Sequence, residues 1–247
     1  MFSIFGSKKT FLKDLVVGFN DIHSHLLFGI DDGAKTVEDS QHILKTFAEL
    51  GFTSSITTPH TIQDVWNNTF DDISAKYQEV KELLPSETQK LHLKVASEYF
   101  MDDSFVQRFQ SEKLFTLKDN LVLVEMSYIN APIQLYDILF ELQVAGYKPV
   151  LAHPERYLFY HKNLNEYKKL KNSGCYFQIN LLSAMGYYGE NVTKAADMLL
   201  ENDLIDFAGS DVHHASHLMM FEKTLKIKNL EAYKEAIKNN SFFVPGV

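Results

Sequence analysis

The chain has 247 residues, of which 45% are hydrophobic and 13% aromatic, enough to form the core of one large domain. Its formal net charge of -8 and its scattered lysines argue against nucleic-acid binding, because no basic stripe is available to neutralise phosphates. The single cysteine, Cys175, excludes an internal disulfide framework and a cysteine zinc cage, and is typical of a reducing compartment such as the cytoplasm. We expect neither a signal peptide nor insertion into a membrane.

Seven short apolar or β-branched segments recur along the chain, and a helix-like stretch follows each of them. The segments are 19–25, 54–60, 93–99, 121–127, 148–156, 175–180 and 204–213. Their spacing is that of one strand plus one crossover helix, roughly 30 residues. The sequence therefore predicts repeated βα units in a single α/β domain covering residues 1–247, of which residues 1–18 form an N-terminal extension.

Residues that are typical of helix starts and ends support the same division of the chain. Thr36 with Asp39 predicts a capped helix that closes at Gly51. Pro132 and Gly146 are expected to open and end another helix. Further helices are expected at about 70–84, 163–172, 190–202 and 229–239, while residues 100–120 read as an irregular region with a helix and a loop.

Six of the seven predicted strands end in a potential metal ligand. Strands of a barrel bring all their C-terminal ends to one mouth, whereas in an open sheet only the strands at the switch point share a site. Ligands from six strands therefore favour a closed barrel, although seven strands is one fewer than usual. The strand-end ligands are His23, His25, His60, Glu98, Glu125, His153, Asp211 and His213.

Glu98 and Glu125 are the most informative of these residues, because a carboxylate inside a β-branched strand is costly to bury unless a cation compensates it. Two further pairs occur, His23 with His25 and Asp211 with His213. The two residues of each pair are two positions apart and therefore share a face of their strand. A histidine at a strand end is, taken singly, more often a hydrogen-bonded polar residue. The whole set, without a thiolate, suits manganese, iron or zinc in a catalytic site.

Arg156 is the candidate catalytic residue. Of the 24 lysines and arginines, only Arg108 and Arg156 are arginines, and Arg156 follows His153 by three residues. A planar fork of donors suits a phosphate group better than a lysine does. The alternative interpretation is a structural salt bridge, for instance with Glu155, and the position at the predicted mouth favours phosphate binding.

Other residues near these motifs are less specific. Trp66 either packs a loop or forms a wall of the substrate cleft, and both interpretations remain open. His214 and His217 are expected at the rim of the site. Cys175 begins a strand and is expected in the core, since no arginine follows it at the short spacing that a cysteine phosphatase loop needs.

Taken together, the motifs resemble the polymerase and histidinol phosphatase (PHP) superfamily. They are "DIHSHLLFGIDDGAKT", "ITTPH", the glutamates at 98 and 125, "LAHPERY" and "GSDVHH", in matching order from about residue 20 to 217. More closely, they resemble its bacterial manganese-dependent tyrosine-protein phosphatases associated with capsule and exopolysaccharide synthesis. The resemblance implies a distorted seven-stranded, TIM-like (β/α)7 barrel, which agrees with the strand count.

The resemblance also implies a centre of two or three metal ions, manganese first and iron or zinc as alternatives. One ion would be held by His23, His25, Glu98 and Asp211, a second by Glu98, Glu125 and His153, and a third by Asp32, His60 and His213. The choice of Asp32 over Asp31 rests on the resemblance alone. Metal-activated hydroxide would attack the phosphate while Arg156 holds it. The further arginine that family members often carry after the last motif is missing here, so His214 or His217 could contribute.

The implied substrate is a phosphotyrosine protein, with a bacterial tyrosine kinase as a candidate partner. One alternative is a phosphatase of a small phosphomonoester such as histidinol phosphate, and another is a non-catalytic metal-dependent binding module. A related amidohydrolase would usually place a lysine near the fourth strand end, where Glu125 stands. The sequence leaves the oligomeric state open.

Overall fold

The computed structural model describes residues 9–244. Its strands are β1 (Asn20–Asp21), β2 (Ser54–Thr57), β3 (His60–Thr61), β4 (Lys94–Val95), β5 (Glu98–Phe100), β6 (Leu121–Glu125), β7 (Lys148–Ala152), β8 (Tyr176–Asn180) and β9 (Phe207–Gly209). Its α-helices are α1 (Leu12–Leu15), α2 (Val37–Glu49), α3 (Phe70–Leu83), α4 (Pro85–Lys90), α5 (Asp103–Ser111), α6 (Leu135–Val144), α7 (Leu164–Asn172), α8 (Glu190–Glu201), α9 (Ala215–Leu218) and α10 (Leu230–Asn239).

All strands pair in parallel, in two sheets with the orders β1-β2-β4 and β3-β5-β6-β7-β8-β9. Two residues separate β2 from β3, and two separate β4 from β5, so each pair is one interrupted strand. The described strands thus occupy seven positions along the chain. The predicted α/β class with parallel strands is confirmed. A parallel bridge between Ser24 and Val212 links the first strand position to the last, and His25 N donates to Val212 O at 3.0 Å.

The helix boundaries follow their capping residues. Thr36 accepts a hydrogen bond from Asp39 N, and the Asp39 carboxylate accepts one from Thr36 N, so the predicted capping box of α2 is confirmed. Gly51 adopts a φ of +87°, which favours glycine over other residues. The helix expected to open at Pro132 begins three residues later, at Leu135. Helix α5 lies within the region predicted to be irregular.

Among residues 9–244, three apolar clusters hold the fold together. One of them draws residues from almost every strand position, including Ile22, Ile56, Leu123, Val150 and Phe207. The other two pack the helices against the strands. The side chains that are candidates for function lie at the C-terminal ends of strands beyond these clusters.

The predicted N-terminal extension is packed against the domain from residue 10 onward. Leu12 and Val16 are fully buried in the core, and Leu12 N donates to Lys223 O at 3.2 Å. Residues 1–8 of the extension lie outside the described residues. Within the described part of the chain, none of the helices has the length and apolar character needed to cross a membrane.

Candidate metal centre

The structure brings together all nine side chains expected to bind metal ions. They fall into four overlapping groups, and within each group the candidate ligand atoms lie within 4.8 Å of one another. The groups are His23, His25 and Asp211; His23, Glu98 and His153; His60, Glu98 and Glu125; and His25, Asp32, His60 and His213. These residues come from six of the seven strand positions and from the loop after the first.

The first expected set of ligands is the tightest. His23 Nε2 lies 3.3 Å from His25 Nε2. Glu98 Oε2 is 3.0 Å from the first nitrogen and 3.4 Å from the second, and Asp211 Oδ1 is 3.4 and 3.5 Å from them. All four side chains are buried. Four donor atoms that face one another away from water form the kind of pocket a divalent cation fills.

The second expected set is divided in the structure. Glu98 Oε1 lies 3.0 Å from His153 Nε2, whereas Glu125 Oε1 lies 2.8 Å from Nδ1 of His60. Glu98 Oε2 is also 3.3 Å from that nitrogen, so this carboxylate contacts both halves of the cluster. The third set, Asp32, His60 and His213, is kept together, and Asp32 Oδ1 lies 3.5 Å from Nε2 of each histidine.

Unpartnered polar atoms test whether these residues fit metal ions. Among the residues that the structure describes, four buried side-chain atoms make no hydrogen bond, and three of them belong to the cluster: His60 Nδ1, His153 Nδ1 and Glu125 Oε1. His60 Nδ1 and Glu125 Oε1 lie 2.8 Å apart as an ion-pair contact that is not a hydrogen bond. Buried polar atoms are normally satisfied by a hydrogen bond. Imidazole nitrogens and carboxylate oxygens left without partners are the donor chemistry that manganese, iron or zinc accepts, so the residues fit such ions.

Two of the buried carboxylates, Glu98 and Asp211, have pKa values held below the usual range. Burial disfavours the charge of Glu98, yet His23 and His60 hold its pKa well below the usual value. Burial opposes protonation of His60, but the Glu125 and Glu98 carboxylates raise its pKa to about 9. The pKa of Asp211 is likewise lowered, against the effect of burial, by neighbouring histidines and by Arg156. Negative charge is therefore available for cations.

The two neighbouring aspartates of the first loop have different surroundings. Asp31 is buried, and its Oδ2 accepts from His25 Nδ1 at 2.8 Å and from His60 N at 3.1 Å. Its other oxygen accepts from Gly33 N at 2.8 Å. Asp32, with a side chain 47% exposed, faces the cleft. Asp31 therefore orients a histidine, whereas Asp32 presents its carboxylate to the cleft between His60 and His213.

Two of the candidate ligands have unusual backbone conformations. His153 has φ +36° and Asp211 has φ +51°, both in the left-handed region. Such conformations cost of order 1–3 kcal/mol each for residues other than glycine, and they concentrate at functional sites. His153 directly follows β7 and Asp211 lies two residues after β9, and both side chains belong to the cluster.

Arg156 lies at the mouth of the cluster, paired with a different carboxylate from the one considered from sequence. Its Nη1 donates to Asp211 Oδ2 at 2.9 Å, and its guanidinium lies 4.6 Å from the ring centre of Tyr128 and 4.2 Å from that of Tyr188. Glu155 instead accepts from Asn180 N and from a serine hydroxyl. The two aromatic rings and the ion pair fix the position of the guanidinium.

A cleft of about 520 Å³ opens above the cluster. Trp66 lines it and stacks on His60, with ring centres 5.0 Å apart, so this residue packs a loop and forms a cleft wall at once. His214 and His217 also line it, and His217 Nδ1 accepts from His213 N at 3.2 Å. Apolar side chains complete the wall: Ile62, Phe100, Met126 and Ile129.

Sequence reasoning missed two buried amides that contact the candidate ligands. Gln178 Oε1 lies 2.7 Å from His23 Nδ1, and Asn180 Nδ2 donates to Asp211 Oδ2 at 2.5 Å. A signal was present, since these two polar residues are two positions apart in an otherwise apolar strand and so share a face. Because amides are weak candidates for metal ligands, this pair does not stand out among the His, Asp and Glu motifs.

Comparison with known proteins identifies the family of this chain. The family model described as "Capsular polysaccharide synthesis, CpsB/CapC" matches residues 19–237. The chain belongs to the CpsB/CapC family. The match covers every candidate ligand and Arg156, and it confirms the resemblance inferred from the sequence motifs.

Named CpsB/CapC relatives are similar over most of their length. The chain is 27% identical to the putative tyrosine-protein phosphatase CapC of Staphylococcus aureus, over 89% of this chain and 87% of the relative. It is 28% identical to the tyrosine-protein phosphatase CpsB of Streptococcus pneumoniae, over 78% and 82% of the two chains. It is 29% identical to the tyrosine-protein phosphatase YwqE of Bacillus subtilis, over 78% and 77%.

Solved structures extend the comparison to the fold. A crystal structure from work on YwqE of Bacillus subtilis and CpsB of Streptococcus pneumoniae, described as unique metal-dependent tyrosine phosphatases, superposes with a TM-score of 0.74 and 28% identity. That match covers 87% of this chain and 85% of the other. An amidohydrolase from Burkholderia ambifaria with bound zinc superposes with a TM-score of 0.52 at 11% identity, over 98% and 90% of the chains, which is a likeness of fold alone.

Proposed function

We propose that this protein is a metal-dependent protein-tyrosine phosphatase linked to capsule or exopolysaccharide synthesis. The observation that carries the proposal is the buried cluster of nine imidazole and carboxylate side chains with Arg156 fixed at its mouth. The names of its CpsB/CapC relatives support the same activity. The substrate is then a phosphotyrosine protein, with a bacterial tyrosine kinase as the candidate. The single buried cysteine supports a cytoplasmic location.

The strands are proposed to form a distorted (β/α)7 barrel of the PHP type, in a single domain that covers the chain. The Ser24–Val212 bridge supports closure between the first and last strand positions. The apolar cluster drawn from almost every strand position supports a common interior. Such an arrangement explains why ligands from six strand positions meet at one place.

The nine ligands are proposed to hold up to three ions, manganese first and iron or zinc as alternatives. The first ion would lie among His23, His25, Glu98 and Asp211. The second would be held by Glu98, Glu125 and His153, and the third by Asp32, His60 and His213. Glu98 contacts both halves of the cluster, which supports its role as the shared ligand. Divalent ions in such a centre lower the pKa of water and hold phosphoryl oxygens.

The side chains of the protein itself position the phosphate. Arg156 donates one N–H to Asp211, and its remaining donors are available to the phosphoryl oxygens in the cleft. The rings of Tyr128 and Tyr188 hold the guanidinium plane, so little ordering is needed when a phosphate binds. No further arginine follows the last motif, and His214 and His217 line the cleft with ring N–H groups that can donate to an anion.

The form of the cleft favours an aryl phosphate on a protein. Its walls are rich in apolar and aromatic groups, and at its rim Ile129 is 85% exposed. An open, apolar mouth accommodates a tyrosyl ring with its attached peptide, whereas a small polar phosphomonoester would be better served by an enclosed polar pocket. The ligand set shows none of the gaps that a non-catalytic metal-dependent binding module would be expected to have.

A substrate panel tests the proposal. The manganese-loaded protein should release phosphate from phosphotyrosine peptides with a kcat/KM far above that for histidinol phosphate, phosphoserine peptides and sugar phosphates. A preference for a small phosphomonoester would replace the proposed substrate with that class. No hydrolysis of any member by metal-loaded, folded protein would contradict an enzymatic function.

A further inference from the structure

Strand β8 differs from the other strand positions. Within residues 9–244 its C-terminal end supplies no member of the four candidate ligand groups, yet it lies between β7 and β9, which lead into His153 and Asp211. Its side chains Gln178 and Asn180 are both fully buried. Their contacts run in one line from Asp211 to His23.

The line begins at Asp211 Oδ2, which accepts a hydrogen bond from Arg156 Nη1 at 2.9 Å. Asn180 Nδ2 lies 2.5 Å from Asp211 Oδ2, so the amide nitrogen must face the aspartate. The amide oxygen of Asn180 then faces the other way, toward Gln178. The contact with Asp211 thus fixes which end of the Asn180 amide is nitrogen and which is oxygen.

The same reasoning passes through Gln178 to His23. Gln178 Nε2 lies 3.0 Å from Asn180 Oδ1 and must donate to it. The oxygen of Gln178 therefore faces His23 Nδ1, at 2.7 Å, and a carbonyl oxygen only accepts. His23 must carry a proton on Nδ1. Its Nε2 faces the tightest group of candidate ligands.

Gly209 on β9 supplies an independent observation about the same contact. A Cβ atom on this residue would lie 2.8 Å from Gln178 Nε2 and 2.7 Å from the Cβ of His23. Its φ is not positive, so no backbone conformation requires glycine here. The absence of a side chain on Gly209 leaves space for the Gln178 amide beside His23.

We propose that Gln178 and Asn180 are positioning residues for metal binding, which set His23 in the Nδ1–H form and tie its orientation to that of Asp211. The inference rests on the proposed metal centre and is independent of the substrate. Histidine ligands commonly depend on such a partner at the other ring nitrogen, and its loss typically costs about 10–100-fold in metal affinity.

The test measures manganese dissociation constants of the full-length protein by competition with a chelator. Gln178→Met removes the acceptor from His23 while keeping side-chain length, and should weaken the tightest site by about 10–100-fold. Asn180→Ala should weaken it in the same direction. Gln178→Glu keeps an acceptor at Nδ1 and should bind manganese more tightly than Gln178→Met. Circular dichroism and thermal melting establish that each variant is folded.

Asn240→Ala is the matched control, because Asn240 is also a fully buried amide and donates to Asn20 O at 2.8 Å and Ala208 O at 2.7 Å. It should lower thermal stability and leave manganese affinity unchanged. Wild-type affinity in folded Gln178→Met would overturn the proposal, and so would equal affinities of Gln178→Glu and Gln178→Met. If Gln178→Met does not fold, wild-type affinity in folded Asn180→Ala would overturn it.

Failure of this inference is distinguishable from failure of the proposed function. Manganese binding is measured without substrate, so a wild-type protein that binds manganese but hydrolyses no phosphotyrosine would refute the function alone. An active wild-type enzyme whose Gln178→Met variant binds manganese normally would refute the positioning role alone.

Discussion

Arg156 and Asp211 are 55 positions apart in the sequence and form an ion pair of 2.9 Å at the mouth of the cleft. The second oxygen of Asp211 faces His23 and His25. One carboxylate therefore links the guanidinium to the candidate metal ligands and sets the distance between them. This relationship explains how a phosphate could contact metal ions and arginine together.

The first prediction concerns the planar guanidinium of Arg156 and its several N–H donors. Arg156→Lys keeps the charge but loses the bidentate geometry, so kcat/KM for a phosphotyrosine peptide should fall sharply, and Arg156→Ala should be worse. Steady-state kinetics with metal quantification measures both. Arg108 lies on α5 and pairs with Glu112, just past the end of that helix, so Arg108→Ala is the control and should be nearly silent. Retained activity in Arg156→Ala would make this residue a structural ion-pair partner only.

The second prediction concerns the stacking of Trp66 on His60. Trp66→Leu should lower kcat/KM for phosphotyrosine peptides by about 2- to 10-fold, since an aromatic contact contributes about 0.5–1.5 kcal/mol. The loss should be smaller for an alkyl phosphate, which has no ring to contact the wall. Phe140→Leu, at an exposed aromatic on α6, is the control. Equal losses for aryl and alkyl substrates would argue against a role in substrate binding.

The third prediction tests the capping box of α2. Thr36→Ala removes the acceptor of Asp39 N and should lower the free energy of unfolding by about 1 kcal/mol, with a range of roughly 0.5–2. Urea denaturation measures the change. Thr36→Ser keeps the hydroxyl and should stay close to wild type. Identical midpoints for the alanine and serine variants would show that the cap contributes nothing.

The fourth prediction concerns the single cysteine. Burial raises the pKa of the Cys175 thiol to about 12, and only the thiolate reacts readily. The native protein should therefore react very slowly with a thiol reagent at pH 8 and fully once unfolded in urea. Cys175→Ser should keep its phosphatase activity. Rapid stoichiometric labelling of the folded protein would contradict the buried, unreactive thiol.

Much of the site was predictable because its chemistry stands out locally. Glutamates within β-branched segments, as at Glu98 and Glu125, and histidines spaced two apart are unusual enough to notice in one sequence. Parallel strands then bring their ends together whatever the detailed helix boundaries are. The start of α6 and the position of α5 were less accurate, because local turn residues decide boundaries only to within a few positions.

What could not be predicted depends on pairing between distant segments. The sequence suggested Glu155, beside Arg156, as its salt-bridge partner, but that side chain is held by Asn180 and Ser183. The distinction between Asp31 and Asp32 likewise depends on which carboxylate reaches His25 across the loop. Such choices are made by tertiary geometry, for which residue spacing carries no signal.

The account depends most directly on metal ions being required for phosphotyrosine hydrolysis. The measurement is phosphate release from a phosphotyrosine peptide by chelator-treated, folded protein as manganese is added back, with bound metal determined in the same samples. We expect no release from the metal-free protein and recovery that follows the filling of at least two sites, with manganese restoring activity best. Full activity in protein shown to be metal-free would contradict the account.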